Sequence, residues 1–195
     1  IKKSVSRLKS KIDLCYLHQN NIEIISDKYV HEGINLLKHN KLINEVGTSV
    51  YSKNELIYTL ESDIFDWVQI PVNVLDTSFY RLIIEHNSQI KVAVRSVFLQ
   101  GALINEKWGK TKIKKHNELF NTLDQVNRLC TSSNLTIQEL SLAYLSQLHK
   151  INQIIIGTIS LDKLRKNLCF TKIKLNESII SAIDNISNKS KSWTN

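Results

Sequence analysis

The chain has 195 residues, 42% of them hydrophobic, with 26 Lys and Arg against 18 Asp and Glu for a formal net charge of +8. That is enough apolar material for one sizeable core. No apolar run approaches the roughly 20 residues of a membrane span and no signal-peptide pattern opens the chain, so the sequence reads as soluble and cytoplasmic. The lysines are spread along the whole length and cluster only at Lys110–Lys115 and Lys189–Lys191. No aromatic residues interleave them, which fits solvated faces rather than a nucleic-acid groove. Cys15, Cys130 and Cys169 are odd in number, lack CxxC spacing and sit in apolar stretches, as buried thiols do, and give no metal site. The chain starts at Ile1 and contains no methionine, so an excised or incompletely written protein is expected.

In chain order, Ile1 to Lys9 reads as the tail of a helix, with Val5 and Leu8 on one face. Ile12 to Leu17, IDLCYL, is an apolar run of strand length that stops at His18. Asp27 is placed to cap a helix bearing Val30, Ile34 and Leu37, ending near Asn40. Ile43 to Gly47 is a second strand, followed by a helix from Lys53 to Leu60. Trp67 to Ile70 is a third strand, turning at Pro71 into a helix through Tyr80, Ile83 and Ile84. Lys91 to Arg95 is a fourth. A long excursion with a turn near Trp108 leads to a helix with Leu119, Leu123, Val126 and Leu129, and Thr136 caps the next. Ile154 to Ile156 is expected as a buried fifth strand. It runs into Gly-Thr-Ile-Ser and a helix with Leu161, Leu164 and Leu168 at helical spacing. A last helix covers Asn176 to Ile186. A single domain over 1–186 and a disordered polar tail over 187–195 are the expected division.

Five strands, each followed by helix, call for a parallel sheet with right-handed crossovers. A doubly wound sheet would carry G-x-G-x-x-G after its first strand, and none is present. A (β/α)8 TIM barrel places its phosphate site after its last strands, where the GTIS turn falls. Such a barrel needs eight strands and about 250 residues. The expectation is therefore an incomplete barrel of about five strand-helix units, lacking its first three or completed by another chain. The GTIS turn has the makings of an anion site: Gly157 for close backbone approach, the Thr158 and Ser160 hydroxyls, a helix N-terminus and the Lys163 charge.

Read together, the strand ends resemble the aldo-keto reductase family from about Ile12 to Leu168. IDLCYLH resembles its strand-four signature, NEVGTSVYS its strand-five end, and DWVQIPVNVLD its strand-six segment. VRSVFLQGALI resembles its strand-seven loop and IIIGTISLDKLRKNL its cofactor-phosphate segment. The resemblance implies an NADP(H)-dependent oxidoreductase that moves hydride between nicotinamide and a small carbonyl or alcohol substrate, without metal. It implies His18 as the catalytic residue beside the substrate oxygen, the family's Asp, Tyr and Lys falling upstream of this sequence. Ser49 and Gln69 match positions that hold the nicotinamide carboxamide, and Arg95 stands where many members stack an aromatic ring. Ser96, Phe98, Leu99 and Gln100 match the loop along the pyrophosphate. Gly157, Thr158, Ser160, Lys163 and Asn167 match the segment at the 2′-phosphate and adenine. Val50 departs from an Asn of the family, Lys166 from an acidic residue, and Lys163 from a frequent Arg whose bidentate geometry it lacks. Two other readings stand beside this one: a non-catalytic NADP(H)-binding regulatory relative, and a basic scaffold for phosphorylated ligands or RNA. Taken alone, His18 is an ordinary strand-end hydrogen-bonding residue and Gln69 an ordinary buried amide.

Overall fold

The computed structural model describes residues 1–18, 20–104 and 117–189. The Lys110–Lys115 cluster, the turn near Trp108 and residues 190–195 of the expected tail lie outside the described residues. Strands β1 (Ile12–Leu17), β2 (Ile43–Ser49), β3 (Trp67–Pro71), β4 (Lys91–Arg95) and β5 (Ile151–Ile154) form one parallel sheet in the order β1-β2-β3-β4-β5. Helix α1 (Lys2–Leu8) precedes the sheet. Helices α2 (Ile22–Ile25) and α3 (Lys28–His39) join β1 to β2, α4 (Lys53–Glu61) joins β2 to β3, and α5 (Ser78–Glu85) joins β3 to β4. Helices α6 (Asn117–Ser133) and α7 (Ile137–Gln147) lie between β4 and β5, and α8 (Leu161–Phe170) and α9 (Glu177–Lys189) follow.

Local chemistry sets most of these boundaries. The Asp27 carboxylate accepts from the Tyr29 and Val30 amides at 2.7 and 3.1 Å and starts α3. Ser52 with Glu55, and Thr136 with Glu139, form reciprocal capping boxes that start α4 and α7. The strand order then fixes the architecture. Each right-handed crossover steps one strand in the same direction, so the connecting helices collect on one face. A doubly wound sheet reverses its order and carries helices on both faces. This is instead the wall of a (β/α)8-type barrel, five strand-helix units of it. On the helix side Val68, Ile70, Val92 and Val94 are fully buried in one core with Leu56, Phe79, Ile83, Leu140 and Tyr144. A second cluster, Ile25, Ile34, Ile43, Val46 and Phe65, lies beneath α2 and α3. By strand alternation Tyr16, Glu45, Gly47, Ser49, Trp67, Gln69, Lys91 and Arg95 share the other face, where a closed barrel has its interior.

The structure departs from the sequence reading at several points. The fifth strand is Ile151–Ile154 rather than Ile154 to Ile156, and it is only partly buried. At its irregular register with Val92 and Ala93, the Asn152 side chain accepts the Val92 amide at 2.7 Å, so a polar residue does the work of the ladder. The single turn α2 was not foreseen, yet its Ile25 is fully buried. The leucines of α8 do not pack inward: Leu161, Leu164 and Leu168 are 59%, 38% and 57% exposed. Cys169, on the same helix, is also exposed, whereas Cys130 is buried. At the C-terminal end, α9 continues to Lys189, and Ser187 is buried with its hydroxyl 2.8 Å from that of Thr77.

On the inner face the Tyr16 ring lies across Gly47, its partner in the β1–β2 ladder. A Cβ on Gly47 would come within 2.6 Å of a Tyr16 ring carbon and 2.9 Å of the Trp67 Cβ. Gly47→Ala should therefore destabilise the fold by about 1–3 kcal/mol, read as a lower denaturant midpoint, and Tyr16→Leu in the same chain should recover part of it. An unchanged midpoint for Gly47→Ala would show the contact to be slack. The Tyr16 hydroxyl is buried without a partner among the described residues, and burial, with a smaller push from Glu45, raises its phenol to about 12. Removing an unpaired buried hydroxyl is favourable, so Tyr16→Phe should stabilise by about 1 kcal/mol near neutral pH. Because the folded phenol titrates above its ordinary 10.0, wild-type stability should be level below that pH and fall relative to Tyr16→Phe as pH rises toward about 12. Chemical denaturation at a series of alkaline pH values checks both statements.

Candidate cofactor site

A parallel sheet brings the C-terminal ends of all its strands to one rim. His18 stands there just past β1, exposed and one residue beyond the Leu17–Thr48 pair. Ser49 closes β2 and pairs with Gln69 of β3, while Arg95 closes β4 opposite Pro71. The segment from Ile155 to Ser160 leaves β5 at the same end, with the Ile155 amide bonded to the Val94 carbonyl at 2.8 Å. Every strand end of the sequence reading is thus on one rim, which is where βα loops build binding sites in barrel folds.

Three of the expected residues touch. The Ser49 hydroxyl donates to the Gln69 Oε1 at 3.0 Å and accepts from the Arg95 Nε at 3.3 Å. The guanidinium also donates through Nη1 to the Ser96 hydroxyl at 3.2 Å and through Nη2 to the Val50 carbonyl at 3.0 Å. Its carbon lies 4.0 Å from the centre of the Tyr51 ring, a stacking cation–π contact. Burial pushes the Arg95 pKa below its ordinary value. The sequence reading missed three contributors. Asn20 donates its amide to the Ser49 carbonyl, Val50 contributes its backbone oxygen while its side chain is buried in the core, and Tyr51 braces Arg95. Only Tyr51 had a signal in the sequence: it is an aromatic residue two positions past Ser49, just before the Ser52 cap.

The β4 loop is held in an unusual backbone. Ser96, Leu99 and Gln100 have φ of 60°, 48° and 55°, and Gly101 has 88°. Left-handed conformations cost non-glycine residues about 1–2 kcal/mol each, and such strain collects where backbone must be aimed. Short turns lock it, with the Leu99 amide on the Ser96 carbonyl at 2.9 Å and the Gly101 amide on that of Phe98 at 2.8 Å. The side chains of Phe98 and Leu99 pack against the main core. Gln100 is exposed, and the Ser96 hydroxyl accepts from Arg95.

In the β5–α8 segment the two hydroxyls are already engaged locally. Thr158 Oγ1 accepts the Ser160 amide at 3.2 Å, and Ser160 caps α8 by accepting the Lys163 amide at 3.4 Å. A Cβ added to Gly157 meets nothing within 4 Å, so the missing side chain leaves room rather than relieving a clash. Lys163 is exposed and Asn167 partly buried on the first turns of α8. At the opposite end of the inner face Glu45 bonds Lys91 and, at 2.7 Å, the Trp67 Nε1. Those two partners hold its carboxyl below the usual range. Among the described residues no group of three or more His, Cys, Asp and Glu is placed to hold a metal, and no helix is long and apolar enough to cross a membrane.

Comparison with known proteins follows the same outline. The aldo-keto reductase AKR11C1 from Bacillus halodurans matches in its holo form with a TM-score of 0.76 at 20% identity, over 98% of this chain and 67% of that one. Its apo form gives 0.75 at 21% identity, over 98% and 68%. The thermostable aldo-keto reductase Tm1743, in complex with epalrestat, gives 0.70 at 23% identity, over 95% and 64%. The chain thus spans about two thirds of the length of these structures. No curated protein matches it. The family model described as "Aldo/keto reductase family" matches residues 1–188. With the strand order and the single rim already established, this chain belongs to the aldo/keto reductase family.

Proposed function

We propose that the chain carries the cofactor half of an NADP(H)-dependent oxidoreductase acting on a small carbonyl or alcohol. The observation that supports this reading best is the hydrogen-bonded group Ser49, Gln69 and Arg95 on the rim that also bears His18 and the β5–α8 turn. When bound, the nicotinamide supplies or takes up hydride. The chain's own residues would bind and orient. Ser49 and Gln69 present a hydroxyl and an amide side by side, the donors and acceptors a carboxamide needs, and so would fix which ring face meets the substrate. The open backbone at Gly157, the start of α8 and the Lys163 charge suit a phosphate group. The strained β4 loop would carry backbone amides along the pyrophosphate. His18, exposed at the end of β1, would donate a hydrogen bond to the substrate oxygen as negative charge builds there. Lys163 in place of Arg keeps the charge that favours NADP(H) over NAD(H).

Fluorescence titration of the purified protein with NADPH should give saturable binding, and Ser49→Ala and Gln69→Leu should each weaken it by about tenfold. In a longer chain that carries the upstream Asp, Tyr and Lys implied by the resemblance, His18→Ala should leave NADPH affinity unchanged and lower kcat/KM for aldehydes by about a hundredfold. Absence of NADPH binding in the wild type would sink the reading. NADPH binding in that longer chain with its upstream Tyr replaced, and no aldehyde-dependent oxidation of NADPH, would instead select a regulatory relative.

A further inference from the structure

The bracing of Arg95 has a consequence for the charge state of whatever lies against it. Each nitrogen of the guanidinium has an acceptor: the Ser49 hydroxyl for Nε, the Ser96 hydroxyl for Nη1 and the Val50 carbonyl for Nη2. All three acceptors are neutral. Among the described residues no carboxylate forms an ion pair with Arg95, so within them its positive charge is uncompensated. One face of the planar group is covered by the Tyr51 ring at 4.0 Å. With its nitrogens hydrogen-bonded and one face stacked on Tyr51, the group is held in place. A half-buried, fixed, uncompensated cation repels a second cation close by far more than a mobile solvated one would.

We infer that Tyr51 is a positioning residue that holds Arg95 as a fixed cation beside the nicotinamide, so that the site binds the reduced cofactor more tightly than the oxidised one. The inference rests on the cofactor reading above and adds a redox-state preference to it. A nicotinamide ring held there would be neutral in its reduced form and would carry a positive charge in its oxidised form. A neutral aromatic ring in the place of Arg95 would attract that charge, whereas a guanidinium opposes it. Arg95 therefore disfavours NADP+ in the site relative to NADPH.

Equilibrium titration of the purified protein with NADPH and with NADP+ tests this through the ratio of the two dissociation constants. The wild type should bind NADP+ about tenfold or more weakly than NADPH, the order expected for one unit charge opposed at stacking distance in a partly solvated site. Arg95→Gln should bring the ratio close to one, while Arg95→Lys, which keeps the charge, should retain most of it. Tyr51→Leu should lower the ratio by about threefold with little change in thermal midpoint, because Tyr51 is 56% exposed. A wild-type ratio near one, or an unchanged ratio in Arg95→Gln, would overturn the inference while leaving cofactor binding intact. If Arg95→Gln binds neither form, Tyr51→Leu decides, and an unchanged ratio there overturns it. Failure of the wild type to bind either form removes the cofactor reading itself, and this inference with it.

Discussion

The structure depends on one topological constraint: each crossover carries the chain one strand onward in the same sense. A right-twisted strand feeding a right-handed connection packs back onto the sheet in one way only, and here the step never reverses, giving the order β1-β2-β3-β4-β5. The connecting helices consequently gather on one face, and their apolar stripes meet the Val68, Ile70, Val92 and Val94 side of the strands. The opposite face is left to residues that a two-sided core could not take. Its strand ends all point one way, so residues as far apart in sequence as His18, Ser49, Gln69, Arg95 and Gly157 come to a single rim.

That free face is divided into two polar groups separated by an apolar, tightly fitted layer. At its lower end Glu45 is tied to Lys91 and Trp67, a compensated network that holds strands β2 to β4 together. At the upper end Arg95 is tied to hydroxyls and a carbonyl, with no opposing charge among the described residues. Between them the Tyr16 ring lies over Gly47, where a Cβ at 47 would press on the ring and burial disfavours a charged phenol at 16. The contrast is physical: a compensated pair stabilises structure at little distance, whereas an uncompensated cation projects a field into the space beside it. The strained left-handed backbone of Ser96, Leu99 and Gln100 follows directly after Arg95. Strain and unbalanced charge therefore sit next to each other, at the end of the sheet where ligands bind in barrel folds.

Where sequence reading failed, it failed for identifiable reasons. The fifth strand begins at Ile151 because Asn152 and Gln153 continue the ladder, the former through its side-chain oxygen on the Val92 amide. A search for apolar runs passes over such a strand and settles on the isoleucines that follow it. The turn at Ile22–Ile25 is too short for periodicity to register, yet it buries Ile25 completely. The leucines of α8 recur at helical spacing but are exposed. Periodicity reports that a face is apolar; it does not report which neighbour, if any, that face meets.

By itself the sequence determined the parallel α/β class, the strand-helix units up to β4, the capping residues Asp27 and Thr136, and the strand-end residues that carry the family resemblance. These are local properties: a cap bonds a backbone amide two or three residues away, and a strand announces itself through consecutive side chains. The tertiary structure alone decided that Tyr51 stacks on Arg95, that Val50 turns its side chain into the core and lends its carbonyl instead, that Asn20 holds the Ser49 carbonyl, and that Tyr16 requires a glycine at 47. Each of these contacts joins different strands or the loops beyond them, two of them reaching from the end of β2 past β3 to β4. Register and packing across the sheet, which no stretch of the sequence displays on its own, set which atoms meet.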